Sequence, residues 1–499
     1  MARNNGARKP LFDPKNEKLP VNAQPLRGKA SELIVSINGR GCSNALTSLS
    51  HIHNQIFIDR GSYLAKSPNA LNYDWRINPS TGNELLDLHV KRFFSFINAK
   101  RKTKGKVEML DCVLANLLSA YNTNSQLLYS RMSANNKDYR TTIQIVDYLV
   151  ANELIVNVNG KANEYQGNSS WMIATDKLSR EFEQAKVKVA LSNDASMVIV
   201  RDKKGNDKEL NRIKTRQPLK LKEVSNPVQD YNRLWLSHDV TLGGKNLVPF
   251  CRRIFNESLD YGGRFYGASH LVIPSAERKY ILIDEQSTIE PDFKSLHFAL
   301  LYAQVGIELD PLRDDPYLVD GFDRKTIKLA SLVLLNSENI PAFKGNITKS
   351  GNHQNKQVIA EYRKALELFM LRSSQGLEAK EPRKPQVLKG FIDGMPDDID
   401  GETLYTALCE RHQAIAHLFG SEKIGVRLQN IDSQIMAKTI AQLTALDIPV
   451  LPVHDSLRCK VSDCGVVTQA MKQAYKTVTG FDGCVTNYES GQLKPNFTM

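Results

Sequence analysis

The 499-residue sequence is poor in tryptophan, with 3, and its aromatic content is only 8%. It has no apolar run approaching the roughly 18 residues that cross a bilayer, which excludes a helical membrane span. Its basic, polar start, MARNNGARKPLFDPKNEKLP, lacks the apolar stretch of a secretory signal and reads as a mobile arm. No Cys-x-x-Cys pair occurs. The seven cysteines (Cys42, Cys112, Cys251, Cys409, Cys459, Cys464 and Cys484) are scattered, which argues against a zinc ribbon or redox motif. Such a set predicts reduced thiols in a cytosolic compartment, most of them filling the core.

What is present fits a soluble globular chain of about two to four domains, with 41% hydrophobic residues. A net charge of +12, spread along the whole length, favours polyanionic partners, nucleic acid ahead of acidic membranes.

Residues 1–80 carry no clear periodicity. Asn83–Lys100 reads as a helix with an apolar face of Leu85, Leu86, Leu88, Val90, Phe93, Phe94 and Phe96. The basic run from Ala99 to Lys106 reads as a solvated loop. Val107–Leu128 and Asp138–Asn152 are two further helices. ELIVNVNG then ends in Asn159-Gly160, a hairpin turn signal, and SSWMIATDKL supplies a second strand. Three helices and a hairpin form the order of a winged helix-turn-helix over 81–185. Arg131, Lys137 and Arg140 stand where they could meet phosphates. A winged fold can also serve protein contacts alone. The stretch 186–230, dense in Lys and Arg, reads as a basic linker or exposed hairpin.

The chemistry concentrates after Pro227. In LDYGGRFYGAS, paired glycines beside Arg264 permit close backbone approach. In YILIDEQSTIEPDFKSLHFALL, a strand (Tyr280–Asp284), a turn and a second strand (Ile289–Phe293) lead to a helix near Ser295. Asp292 therefore stands at a strand-to-helix junction, where it either points into a cleft or caps the helix. Asp323–Asn339 is a helix with Arg324 and Lys328 one turn apart, a basic stripe on an amphipathic element. In VLPVHDSLRCK, a strand, an acidic tip at His454-Asp455-Ser456 and a second strand form a hairpin. Two strand-end aspartates with a cationic helix between them suit phosphoryl transfer. The carboxylates are hard ligands for two Mg²⁺ ions roughly 3.5–4 Å apart, and the cations neutralise a triphosphate.

In this order the motifs resemble the polymerase core shared by single-subunit phage-type RNA polymerases and family A DNA polymerases, over roughly Asn232–Lys460. Asp260, Gly263, Arg264 and Tyr266 match the Asp-x-x-Gly-Arg-x-Tyr element, whose arginine contacts nucleic acid. EPDFKSLH is similar to motif A, PVHDSL to motif C, and Arg324-x-x-x-Lys328 to motif B. The resemblance implies an α+β fold, a right-hand polymerase of palm, fingers and thumb over 231–499. Motif A spans 284–306, motif B 320–345 and motif C 450–460. It implies Asp292 and Asp455 as ligands of two Mg²⁺ ions, and Lys328 and Arg324 on the incoming triphosphate. Arg264, Tyr266, Gly263, His454 and Gln429 would face nucleic acid. Two positions depart from the family. His297 stands where the DNA polymerases place a glutamate gate and the RNA polymerases a glycine. Asn336 and Ser337 replace a Tyr-Gly pair that senses the sugar, so the choice between NTP and dNTP stays open.

The expected partners are a DNA template, or RNA, and nucleoside triphosphates, with no membrane and a monomeric enzyme. The expected setting is the cytoplasm of a bacterial host, in a phage- or plasmid-encoded replication or transcription system without proofreading. The alternatives are a non-catalytic replication initiator with a degenerate palm, favoured by Asn336 and Ser337, and a metal-dependent nuclease. The polar stretch 344–357 reads as a solvated connection. Phe391–Gly420 is largely helical, with no metal at its histidines.

Overall fold

The computed structural model describes residues 69–131, 138–159, 162–163, 166–167, 170–203, 205, 210–374, 380, 382–489 and 492–493. The expected arm, most of the irregular start, Lys137 and Gly160 lie outside them. The described chain is a mixed helix-and-sheet structure, as expected of α+β. Among its residues, no helix is long and apolar enough to cross a membrane.

The N-terminal part holds α1 (Pro79–Phe96), α2 (Lys104–Asn122), β1 (Leu127–Tyr129), α3 (Tyr139–Ala151), β2 (Ile155–Val158), β3 (Ser170–Ala174) and α4 (Asp176–Gln184). α1 begins before Asn83 because Asn78 caps Ser80 and proline takes the first helical position. The helix expected through Leu128 stops at Asn122, and β1 follows, paired with β3. His89 is fully buried and ties three helices together. Its Nδ1 meets the Tyr148 hydroxyl at 2.8 Å and its Nε2 meets Glu181 at 2.8 Å.

The stretch expected as a linker is ordered secondary structure. It contains a strand, Val189–Leu191, paired with Trp75–Ile77, then β4 (Val198–Arg201), a short helix and α5 (Pro218–Leu234). Arg201, Lys203, Arg212, Lys214, Arg216 and Lys222 are exposed, while Val198, Val200, Ile213, Val228 and Tyr231 are buried. High charge had masked a sparse apolar pattern.

The larger part continues with β5 (Val240–Leu242), β6 (Arg252–Asn256), β7 (Gly262–Tyr266), β8 (Leu282–Ile283), β9 (Gln286–Phe293) and α6 (Leu296–Gln304). Then come α7 (Arg324–Asn336), α8 (Ile340–Gly351), α9 (His353–Ser374), α10 (Gly401–Arg411) and α11 (Ile424–Ala445). β10 (Leu451–Val453), β11 (Ser456–Lys460), α12 (Cys464–Thr479) and β12 (Val485–Glu489) complete it. The expected polar loop at 344–357 is thus two helices, fastened by Phe343 and Ile347 in the core. In the main sheet β9 pairs antiparallel with β8, β11 and β12, and β11 pairs with β10. Asp284 and Glu285 both take positive φ, 48° and 63°, in the two-residue turn between β8 and β9. A smaller sheet joins β4, β6 and β7. α11 packs on β7, α5, α6, α7 and α12, so one helix fixes the positions of most site-bearing elements.

A close approach lies between β7 and α11. Gly263 has φ +93°, and a Cβ there would lie 2.5 Å from Phe255 and 2.9 Å from the Ser433 Oγ. Gly263→Ala should cost about 1–3 kcal/mol, seen as a lower melting temperature. Gly105→Ala, a helical site with nothing within 4 Å, should leave it unchanged or slightly higher. Equal melting of Gly263→Ala and wild type would contradict this packing.

Candidate active site

β9 ends one residue past Asp292, and its antiparallel partner β11 begins one residue past Asp455. Register places Asp292 opposite Ser456, and the Phe293 amide donates to the Asp455 carbonyl at 3.4 Å. Strand pairing therefore brings the two carboxylates to one end of the sheet. The N-cap of α6 is Ser295, so Asp292 does not serve as that cap. Asp455 shares a two-residue turn with His454, which takes φ +58°. That left-handed geometry is one histidine adopts more readily than most residues.

Both aspartates are half-buried and both resist ionisation. Burial, the Asp455 charge and the Glu290 charge push the Asp292 pKa up to about 8, against a weaker pull from Lys328. Burial and the Asp432 charge raise that of Asp455, opposed by Arg264 and His297. Like charges in a desolvated place produce this conflict. Among the described residues neither carboxylate forms a salt bridge, and no group of three or more metal-ligating side chains is assembled. Two unneutralised carboxylates nevertheless fit Mg²⁺, which commonly takes one or two protein carboxylates and completes its shell with water and phosphate oxygens.

The strand beneath them is held by a buried ion network. Arg458 donates to Glu290 at 2.9 Å and to the Thr288 hydroxyl at 2.9 Å, and Ser456 donates to Glu290 at 2.8 Å. Burial works against the Glu290 charge, but Arg278 and Arg458 outweigh it and hold its pKa below the usual range.

Arg264 projects from β7 toward α11. Its Nε donates to Asp432 Oδ2 at 2.9 Å and its Nη2 also bonds that oxygen. The same Nη2 lies 3.2 Å from His297 Nε2, and His297 Nε2 lies 3.5 Å from Asp432. Arg264 and His297 are thus brought into one cluster, around a carboxylate the motifs had not flagged. Asp432 is fully buried. Gln429 sits one turn earlier on the same helix, half-buried. Gly263 lets β7 approach α11, and Arg253 fills the space beneath. The Arg253 side chain donates to the Gly263 carbonyl at 2.7 Å and to Ser433 Oγ at 3.0 Å. Burial lowers its pKa to about 10. Tyr266 meets His454 edge-on, with centroids 5.9 Å apart.

α7 supplies the expected cations unequally. Asp323 caps it, accepting from the amides of Lys325 and Thr326. Lys328 is exposed and electrostatically coupled to Asp292. Arg324 is already engaged, donating to Asp315 at 2.8 Å and lying over the Tyr317 ring. Asn336 is exposed at the last turn, its side chain donating back to the Leu332 carbonyl at 2.8 Å. Nothing in the structure joins Asn336 to the aspartate pair. His412 is buried, with its ring nitrogens on Tyr302 and the Pro316 carbonyl.

The sequence matches no family model, and no curated protein matches it. Among solved structures it is similar to the POL domain of Pol1 from M. smegmatis, in complex with DNA primer-template and dNTP. Identity is 10% and the TM-score 0.23, with 83% of this chain and 66% of that chain covered. The chain therefore spans just under two thirds of that neighbour.

The raised Asp292 pKa has a stability consequence. In the fold Asp292 keeps its proton to about pH 8, whereas the unfolded chain ionises near ~3.9. The folded state is therefore favoured fully below the unfolded pKa, and that advantage is lost as pH rises to the folded one. Without divalent cations, Asp292→Asn should melt above wild type at about pH 9 and level with it below ~3.9. Thermal melts across this range check it; a variant no more stable at high pH contradicts the charge conflict.

Proposed function

We propose that this chain is a template-directed nucleotidyltransferase, a compact polymerase resembling the family A DNA polymerases and the phage-type RNA polymerases. The observation that carries the reading is the pair Asp292 and Asp455, joined at one sheet end by β9–β11 pairing and left without a neutralising side chain.

In this reading the two aspartates hold Mg²⁺. The bound ions supply charge stabilisation to the attacking and leaving oxygens of an in-line displacement. Lys328 is the residue we assign to the triphosphate, because it is exposed and faces the Asp292 charge electrostatically. Arg324 joins it only by giving up its bond to Asp315. His297 bounds the nucleotide site on the Arg264 side. Tyr266 and His454 form an aromatic edge for the primer or template end. The palm, fingers and thumb of 231–499 and a winged-helix module over 81–185 belong to the same proposal. In the latter, Arg131 donates to Tyr129 and Asn159, each at 3.2 Å, and Arg140 is exposed for phosphate contact. A DNA template, a bacterial cytoplasm and a phage or plasmid source complete it.

The non-catalytic initiator keeps one specific observation. α7 ends at Asn336, with Ser337 closing the helix, so the family's sugar-sensing aromatic has no counterpart.

Primer extension with NTPs or dNTPs, on DNA and RNA templates, separates the two. Wild type should incorporate nucleotide in Mg²⁺. Asp292→Asn and Asp455→Asn should each lose on the order of 10²–10³-fold or more while keeping duplex binding. Lys328→Ala should raise the nucleotide KM by about tenfold, the size of one lost charge-assisted bond. Full extension by either aspartate variant would sink the assignment, and template binding without any incorporation would favour the initiator.

A further inference from the structure

We propose that Asp432 is a positioning residue whose carboxylate sequesters the Arg264 guanidinium and thereby keeps Asp455 free to take a divalent cation. The inference rests on the metal role proposed above for Asp455.

Asp432 is a carboxylate with 0% exposure in the middle of α11. A buried charge persists only when paired. Its pairing is one-sided: Oδ2 takes Arg264 Nε, Arg264 Nη2 and the approach of His297, while Oδ1 is buried without a partner. A residue kept only to knit the fold would use both oxygens. The carboxylate instead spends its charge on one guanidinium.

That guanidinium has a second anion within its field. Burial works against the Arg264 charge, but Asp432 and then Asp455 outweigh it, while burial and Asp432 raise the Asp455 pKa against the pull of Arg264 and His297. Arg264 side-chain exposure is only 15%, so it has little water to turn to. Released from Asp432, it would turn to Asp455, the other carboxylate whose charge it feels. A guanidinium on that carboxylate would occupy the oxygens a metal needs. His297 constrains the same cluster. Its Nε2 either accepts from Arg264 or, protonated, turns to Asp432; it cannot do both. Either way the imidazole is a third member of the cluster that holds Arg264 against Asp432.

The test is Mn²⁺ binding to the full chain without nucleotide or DNA, followed by electron paramagnetic resonance. Asp455→Asn is the control for site occupancy, and circular dichroism and melting report the fold. Asp432→Asn preserves shape but removes the charge. It should weaken Mn²⁺ binding by about tenfold or more, the effect of a cation moved onto a carboxylate. Arg264→Gln alone should bind Mn²⁺ as tightly as wild type or tighter. Arg264→Gln/Asp432→Asn, neutral in net charge relative to wild type, should return to within about twofold of it. A merely structural Asp432 predicts the opposite, a double variant as weak as Asp432→Asn or weaker. Wild-type affinity in Asp432→Asn, a double variant that stays weak, or weakened binding in Arg264→Gln each overturns the proposal. If those results come with an Asp455-dependent Mn²⁺ site and nucleotide incorporation in wild type, the polymerase reading stands without it. Absence of any Asp455-dependent Mn²⁺ site overturns both.

Discussion

The structure is organised around an electrostatic conflict. β9–β11 pairing sets Asp292 and Asp455 together in partly desolvated surroundings, where burial and the Asp455 charge make Asp292 harder to ionise and burial and Asp432 do the same to Asp455. Two such groups would ordinarily move apart or acquire a cation. Here they cannot move apart, because the backbone that carries them is fixed from several directions. Strand pairing with β8, β11 and β12 holds β9, and a two-residue turn holds Asp455. The Arg458–Glu290 pair clamps β9 to β11 close behind the aspartates.

The charges around the pair divide into two sorts. Half-buried Glu290 and fully buried Asp432 are matched with arginines, Arg278 and Arg458 for the first and Arg264 for the second. Asp292 and Asp455 lie close by, but no arginine is spent on them. Removing one partner from a buried ion pair is costly, so each matched arginine is effectively committed. The unmatched carboxylates are thereby preserved as the place where outside positive charge is most welcome. A carboxylate whose pKa is raised by burial and a neighbouring like charge is a candidate functional group. The matched neighbours are what make the reading specific, since they show that arginines were at hand.

Much of this was legible in the sequence. Asp292 before a helix and Asp455 at a hairpin tip are local patterns, read from periodicity and turn chemistry. Their strands and turns fall close to the expected places. The pairing of Arg264 with Asp432 was less visible, because it joins distant segments. A signal did exist: Asp432 interrupts a helical face whose neighbours one turn away, Leu428, Ile435 and Met436, are buried. A carboxylate on an apolar stripe is either partnered or misplaced. The 186–230 and 344–357 stretches were misread for a different reason. Their helices bury only narrow faces, so polar composition hid them until tertiary packing supplied the missing support.

The chain order explains why α11 bears so much of the arrangement. Between β9 and β10 the chain makes a long helical excursion, α6 through α11, before the second aspartate returns to the sheet. Closing so long a loop carries an entropic cost that local hairpins escape. The last helix of the excursion offsets it by packing on β7, α5, α6, α7 and α12 at once. That requires a helix with apolar or small residues on nearly every face, as in Leu428, Ser433, Ile435, Met436, Thr439, Ile440 and Leu443. A helix so enclosed can carry a charged residue only where a counter-charge already waits. β7 supplies that counter-charge at Arg264, and the glycine at 263 lets its backbone come close enough. The return of Asp455 to the sheet, the close approach of β7 and the burial of Asp432 are therefore one packing solution. A change in any of them should be felt by the other two.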